Sequence, residues 1–251
     1  MAIDRPYADR ADLYAAHRWD VPEAAVDFVF ECCALPGNCD VAELGSGTGA
    51  VISRLLERAR TVYAVEPDEE MRRWSDDACG DHPAYRSTRG TAERIGLRDD
   101  SVDLVVAAQA LQWFTPEAAL SEMARILRPV GCLAVLWTLP EPDAVGAGSA
   151  ALLARHARFP DKPKLFDHER LLPRYFAAGS IDRARFGSDL EEGWDRFLGG
   201  LASSASAPGR ADPSFDAFRE DARRLFDAFA VDGRLRMRLV THVAVGPVRT
   251  A

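Results

Sequence analysis

Lysine is nearly missing from this chain: of 31 basic residues among 251, only Lys162 and Lys164 are lysine and the others are arginine. Neither lies near the glycine-rich stretch at 45–49, so that stretch offers a nucleoside triphosphate no obvious cation for its terminal phosphates. Positive charge as a whole is also short, with 39 acidic residues leaving a formal net charge of −8. Such a balance disfavours a nucleic-acid partner, which would need clustered basic surface. Long apolar runs are absent too: no segment reaches the roughly 18 to 20 residues of a membrane helix. The opening MAIDRPYADRAD is too charged for a secretory signal. The expectation is therefore a cytoplasmic protein without a membrane partner. The cysteines, at 32, 33, 39, 79 and 132, contain no CxxC pair and are odd in number, which excludes an obvious disulfide framework or zinc site. No His/Cys/Asp set has ligand spacing, so no metal is expected.

What is present suits one sizeable core: 47% of residues are hydrophobic and 28% charged, the composition of one domain with an appended cap. Between 40 and 138, short apolar runs alternate with longer helix-patterned segments, the signature of successive βαβ units. The pattern predicts strands at about 40–44, 61–66, 84–88, 101–108 and 131–138. Helices fit between them at 48–59, 68–79 and 116–127, the last with Thr115 as N-cap and Pro116 at its first position. An apolar-striped helix precedes them at 21–30. Beyond the Pro/Gly punctuation after 140, the pattern gives a helix near 149–158 and strands at 180–190 and 235–247. The roughly forty residues between those strands, including an amphipathic helix from Phe215 to Phe229, read as a cap or lid. The organisation expected is 1–39 as a helical N-terminal segment, 40–138 as a ligand-binding core, and 139–251 as the rest of the sheet with a cap insertion at about 191–232.

The stretch Val41-Ala-Glu-Leu-Gly-Ser-Gly-Thr-Gly-Ala50 carries the chemistry. Glycines at 45, 47 and 49 allow a sharp strand-to-helix turn and a close ligand approach. Their GxGxG spacing differs from both the GxGxxG of dinucleotide sites and the phosphate loop. Glu43 would repel a pyrophosphate but suits a ligand amine. Seventeen residues after Gly49, the second strand ends in Val62-Tyr-Ala-Val-Glu66-Pro67, where a carboxylate can accept hydrogen bonds from both hydroxyls of a ribose.

Taken with "VYAVEPDEEM", "GTAERIGLRDDSVDLVVAAQALQWF" and "EMARILRPVGCLAVLW", this stretch resembles the class I S-adenosylmethionine-dependent methyltransferases of the small-molecule kind. Tyr14 to Pro22 is similar to the N-terminal segment of trans-aconitate methyltransferase-like members. The resemblance implies an α/β Rossmann-like seven-stranded mixed sheet, its last strand antiparallel, with helices on both faces and a helical lid. It implies S-adenosylmethionine as cofactor, with Glu43, Gly45, Ser46, Gly47 and Gly49 around the methionine part and Glu66 on the ribose. Pro67 and Met71 would border the adenine, Thr91, Ala92 and Glu93 its edge, and Gln109 to Trp113, including Gln112, the reacting methyl. Tyr14 and Arg18 would close over the cofactor. The sequence departs from the family at Val130, where glycine is commoner, and at Gln112, where many relatives carry histidine.

Methyl transfer from a sulfonium is accelerated mainly by alignment and water exclusion, so a base is optional. His17 is the candidate base, against the bland reading of a surface histidine. His156, His168 and His242 read as structural or exposed. Trp113, Phe114 and Trp137 are candidates for a substrate wall, with simple packing as the alternative; Trp194, Phe197, Phe215, Phe218, Phe226 and Phe229 read as cap core. The function expected is methyl transfer to an oxygen, less readily nitrogen or carbon, of a small organic molecule by a monomer or homodimer. The competing readings are a non-methylating isomerisation or cyclisation that leaves the cofactor intact, a non-catalytic partner subunit, and a nicotinamide dehydrogenase.

Overall fold

A computed structural model describes residues 7, 9–158, 168–177 and 179–249; Lys162 and Lys164 lie outside them. In chain order the elements are α1 Ala11–His17, α2 Glu23–Cys32, β1 Asp40–Leu44, α3 Ile52–Leu56, β2 Thr61–Val65, α4 Glu69–Cys79, β3 Tyr85–Thr88 and β4 Val102–Ala108. After a short 3-10 turn at Leu111–Trp113 come α5 Pro116–Ile126, β5 Leu127–Pro140, α6 Ala144–Arg155, α7 His168–Leu171, β6 Asp182–Glu192, α8 Trp194–Ala202, α9 Phe215–Phe229 and β7 Leu235–Pro247. Among the described residues the strands form one seven-stranded mixed sheet in the order β3-β2-β1-β4-β5-β7-β6, β7 being antiparallel.

The wholly buried DVAEL of β1 and the apolar run of β4 occupy the centre of the sheet because both their faces are covered, as a parallel strand requires. β1 pairs in parallel with β2 on one side and β4 on the other, with Glu43 opposite Ala64 and Val106. Strand order reverses at this β1/β4 junction, and in open α/β sheets the crevice beyond the carboxyl ends at such a point is where ligands bind. The amino ends of the same strands are tied by charge. Arg128 donates to Asp40 at 2.8 Å and to Asp103 at 2.7 Å, Asp103 also accepts the Asp40 N–H at 2.8 Å, and Arg60 pairs with Asp40. Burial would raise the Asp40 carboxyl, but hydrogen bonds from Arg60 and Arg128 outweigh it and hold it below the ordinary carboxylate range.

The chain divides into two compact units. The larger comprises Asp20–Trp137, Leu165–Phe186 and Thr241–Ala251, the smaller Met1–Trp19, Thr138–Lys164 and Gly187–Val240. The division falls within β5, β6 and β7. In the larger unit two apolar clusters form, one gathering α2 and α3 residues such as Val26 and Leu55, the other α5 residues such as Met123 together with Tyr175 and Phe176. In the smaller unit Leu13, Phe197, Phe218 and Phe226 are buried in a third cluster, as the cap aromatics were expected to be, while Phe229 stays exposed. Arg10 is also buried there and donates to the carbonyls of Ala202, Ser204 and Ala207 at 3.2, 2.7 and 2.9 Å, satisfying oxygens that the end of α8 and its following turn leave without helical partners.

Several elements depart from the sequence pattern. The helix after the glycines begins only at Ile52, because residues 45 to 51 are spent on turns. Thr115 is the N-cap residue of α5 with Pro116 first in the helix, as expected, but its side chain makes no capping hydrogen bond; its own N–H is bound to Glu93 Oε1 at 2.7 Å. The helix expected at 149–158 starts at Ala144, since Asp143 caps it through the Gly146 N–H at 3.0 Å. Its glycines answer packing rather than a turn: a Cβ on Gly146 would lie 1.9 Å from the Glu141 carbonyl, and one on Gly148 2.6 Å from Leu225.

Val130 is fully exposed and sits at φ +64°, a left-handed conformation that costs an L residue about 1–2 kcal/mol. Glycine adopts it freely but loses more unfolded-state entropy, roughly 0.5–1 kcal/mol. Val130→Gly is therefore expected to raise the thermal midpoint by about 2 °C, and Val130→Ala to leave the strain in place. A calorimetric scan showing the glycine variant no more stable than the parent would contradict the assignment of strain.

Candidate functional site

The site is built on the turn that leaves β1. Gly45, Gly47 and Gly49 adopt φ of +71°, +57° and +85°, so the chain alternates in hand faster than residues with a Cβ tolerate. Space reinforces conformation: a Cβ on Gly45 would meet Ala110 Cβ at 2.8 Å, and one on Gly49 would meet Ser75 Oγ at 2.8 Å. The turn is held to β2 by the N–H groups of Gly45 and Ser46, which donate to the Val65 carbonyl at 2.8 and 3.2 Å.

Glu66, the next residue of that strand's exit, closes the turn from the side. Its Oε2 accepts the Gly47 N–H at 2.9 Å and its Oε1 the Asp68 N–H at 2.8 Å. Asp68 in turn caps α4 by accepting from the N–H groups of Glu70 and Met71 at 3.0 and 3.2 Å. Burial pushes the Glu66 carboxyl above its ordinary range, and the two N–H bonds pull only partly the other way. Glu43 is 2% exposed, and burial together with the charge of Glu66 pushes its carboxyl far up. Its Oε2 is buried without a hydrogen-bond partner, and so is the Oγ of Ser46. Two orphaned polar atoms beside a turn that must stay open at every second residue are what a site for a polar, cation-bearing ligand would leave in the protein alone.

Other expected residues fall around the same strand ends within the larger unit. Thr91 and Arg94 exchange backbone hydrogen bonds at 3.1 Å in both directions, which turns the chain sharply through buried Ala92, and Glu93 holds the Thr115 N–H. Met71 is buried and Pro67 half-buried. Phe114 approaches Gly45: its Cε1 would lie 3.8 Å from a Cβ there. Gln109 leaves β4 at φ +56°, with its N–H on the Leu136 carbonyl at 2.8 Å. Gln112 Nε2 donates to the Gln109 carbonyl at 2.8 Å, and its Oε1 is 2.9 Å from His168 Nε2. Trp137 is buried and two imidazoles, His168 and His242, stack on it, each at 5.2 Å between centroids with planes inclined by 9° and 6°.

Tyr14, His17 and Arg18 belong to the smaller unit. There the Arg18 guanidinium lies over the rings of Tyr14 and Trp19 at 5.4 and 5.1 Å. His17 packs on α8 where only glycine fits, since a Cβ on Gly199 would be 2.4 Å from its ring. Burial, then the charges of Arg196 and Arg210, push the imidazole below its ordinary range and favour its neutral form.

His168 was not distinguishable in the sequence from any structural histidine; its link to Gln112 arises from the fold across 56 positions of chain. Ser75, which meets Gly49, carried no signal either.

Because folding raises the Glu43 carboxyl, the unfolded chain ionises it first as pH climbs past the ordinary carboxylate range, and stability falls across that window. Glu43→Gln, neutral at every pH, is expected to unfold at a higher temperature than the parent at pH 8, with the difference vanishing near pH 4. A parent more stable than this variant at pH 8 would show that Glu43 is not a neutral buried acid.

Known proteins resemble this chain over the segment that holds the glycine turn. Residues 42–135 match a family model described as Methyltransferase domain. An uncharacterized methyltransferase of Mycobacterium bovis is 40% identical over 131 residues, 52% of this chain and 51% of that protein. A malonyl-[acyl-carrier protein] O-methyltransferase of Geobacter sulfurreducens is 32% identical over 136 residues, 53% of this chain and 50% of its own length. The chain thus spans about half the length of these curated relatives. A solved structure from Anaeromyxobacter dehalogenans, assigned provisionally as a type II methyltransferase, superposes with a TM-score of 0.73 at 27% identity over 92% of this chain and 98% of that one. Over residues 42–135 the chain thus resembles a methyltransferase domain, set in a sheet that matches the Rossmann-like methyltransferase fold.

Proposed function

We propose that this protein transfers the methyl group of S-adenosylmethionine to an oxygen of a small organic acid or phenol. The observation that carries the reading is the Glu66–Gly47 hydrogen bond beside the orphaned Glu43 Oε2 and Ser46 Oγ. It joins a ribose-type carboxylate to a turn with unmet polar groups.

The cofactor supplies an electrophilic methyl on a positively charged sulfur. The residues of the chain bind and orient it. Each Glu66 oxygen accepts one backbone N–H and keeps lone-pair capacity for the two ribose hydroxyls. Gly45, Ser46, Gly47 and Gly49 admit the methionine part without a Cβ in the way, and the paired carboxylates Glu43 and Glu66 favour a ligand bearing cationic groups. Pro67 and Met71 border the adenine, Thr91, Ala92 and Glu93 its edge, and Gln109 and Gln112 the methyl end. Trp113, Phe114 and Trp137 wall the acceptor. Tyr14, Arg18 and the candidate base His17 hold their roles through the resemblance of the 14–22 segment.

Oxygen is favoured on two grounds. Gln112 cannot serve as a base, and an already ionised carboxylate or phenolate needs positioning alone. The trans-aconitate methyltransferase-like segment and the likeness to an O-methyltransferase of Geobacter sulfurreducens point the same way.

Isothermal titration with S-adenosylmethionine and with NADH tests the cofactor. Micromolar binding of the former alone, weakened tenfold or more in Glu66→Ala, is expected, since charged hydrogen bonds are lost. Heat with NADH alone, or with neither ligand, would refute it. Incubation with methyl-labelled cofactor and a panel of acids and phenols tests the acceptor: label released as methanol by alkali marks an ester, label that resists alkali an ether or N-methyl product, and turnover with the cofactor intact the isomerase or cyclase reading.

A further inference from the structure

Gln109 is a non-glycine residue in the left-handed region at the point where β4 delivers the chain to the ligand side of the sheet. A conformation of that kind persists only where its surroundings over-determine it. Its N–H is fixed on the Leu136 carbonyl at 2.8 Å, and its carbonyl receives Gln112 Nε2 at 2.8 Å. A carbonyl can only accept, so the amide nitrogen of Gln112 must face Gln109 and its oxygen must face His168. The His168 Nε2, 2.9 Å from that oxygen, therefore carries a hydrogen and donates it. All three links are short, and Gln112 and His168 are 7% and 2% exposed. The imidazole plane is set in turn by its stacking on Trp137, on which His242 stacks as well.

We propose that His168 is a positioning residue of the methyl-transfer site: it acts through Gln112 on the Gln109 backbone, and so holds the end of β4 in the one conformation that receives the methionine end of the cofactor. The assignment rests on the reading of residues 109–113 as neighbours of the reacting methyl. Since Nε2 bears its hydrogen in both the neutral and the protonated imidazole, this role does not depend on the charge of His168.

Two substitutions separate the hydrogen bond from the packing. His168→Phe keeps a flat ring on Trp137 and removes the donor; His168→Gln places an amide N–H near the position of Nε2. Titrated with S-adenosylmethionine and, separately, with adenosine, which lacks the methionine part, His168→Phe is expected to bind the former about tenfold more weakly and the latter unchanged. His168→Gln is expected to recover parental affinity to within about threefold. Gln112→Met breaks the same chain from its middle, gives the same pattern if His168→Phe does not fold, and adds no further loss when combined with it, as coupled residues require. Equal loss for both ligands, no loss, or no recovery by glutamine would overturn the proposal. Failure of the parent protein itself to bind S-adenosylmethionine would instead overturn the cofactor reading on which it stands.

Discussion

The site hangs on one hydrogen bond, from the Gly47 N–H to a carboxylate oxygen of Glu66. It ties the turn after β1 to the exit of β2. The same carboxylate engages both the middle of the glycine turn and the start of α4, because its second oxygen takes the Asp68 N–H and Asp68 then caps that helix. One buried acid therefore sets the geometry of a loop, a strand end and a helix start at once. Its orientation precedes any ligand, so little reorganisation is left for binding to cost.

The two ends of the central strands are charged in opposite manner. At the amino ends, Asp40 and Asp103 are matched by Arg60 and Arg128, and the resulting network closes on itself. At the carboxyl ends Glu43 and Glu66 are buried with no cation in an ion pair with either among the described residues; Arg72 donates to the Glu66 backbone carbonyl at 3.2 Å and its charge offsets the burial of that carboxyl only in part. The first arrangement stabilises a fold whose outer surface is water. The second leaves a deficit of positive charge that a sulfonium and an ammonium group are suited to fill, and it is tolerable in their absence because a buried acid can take up a proton instead.

Legibility from sequence followed the reach of each signal. The central strands and α4, α5 and α9 were readable because their periodicity and caps lie within the segment itself, and Gly45, Gly47, Gly49 and Glu66 because conformation and spacing restrict them. Thr115 was readable as the N-cap of α5 by position, but the absence of a side-chain cap and the hold of Glu93 on its N–H were not. Gly146 and Gly148 misled as punctuation, since their smallness serves contacts with Glu141 and Leu225. His168 was invisible for a different reason. Its partner lies across a βα unit, and no local pattern distinguishes a histidine that will meet a glutamine from one that will not.

Arg10 adds an element of time. Its guanidinium closes on carbonyls 192, 194 and 197 residues further along the chain. During synthesis at about 5–20 residues per second it waits roughly 10–40 s for them to emerge. An arginine can wait in water at no cost, its charge solvated and its apolar stem short, where an exposed aromatic in the same place would seek the wrong partner. The smaller unit is thus fastened from an early segment by a side chain that has the neighbouring Asp9 carboxylate as a partner from the start and takes the three carbonyls when they exist, and the order of manufacture is reconciled with a fold that ignores it.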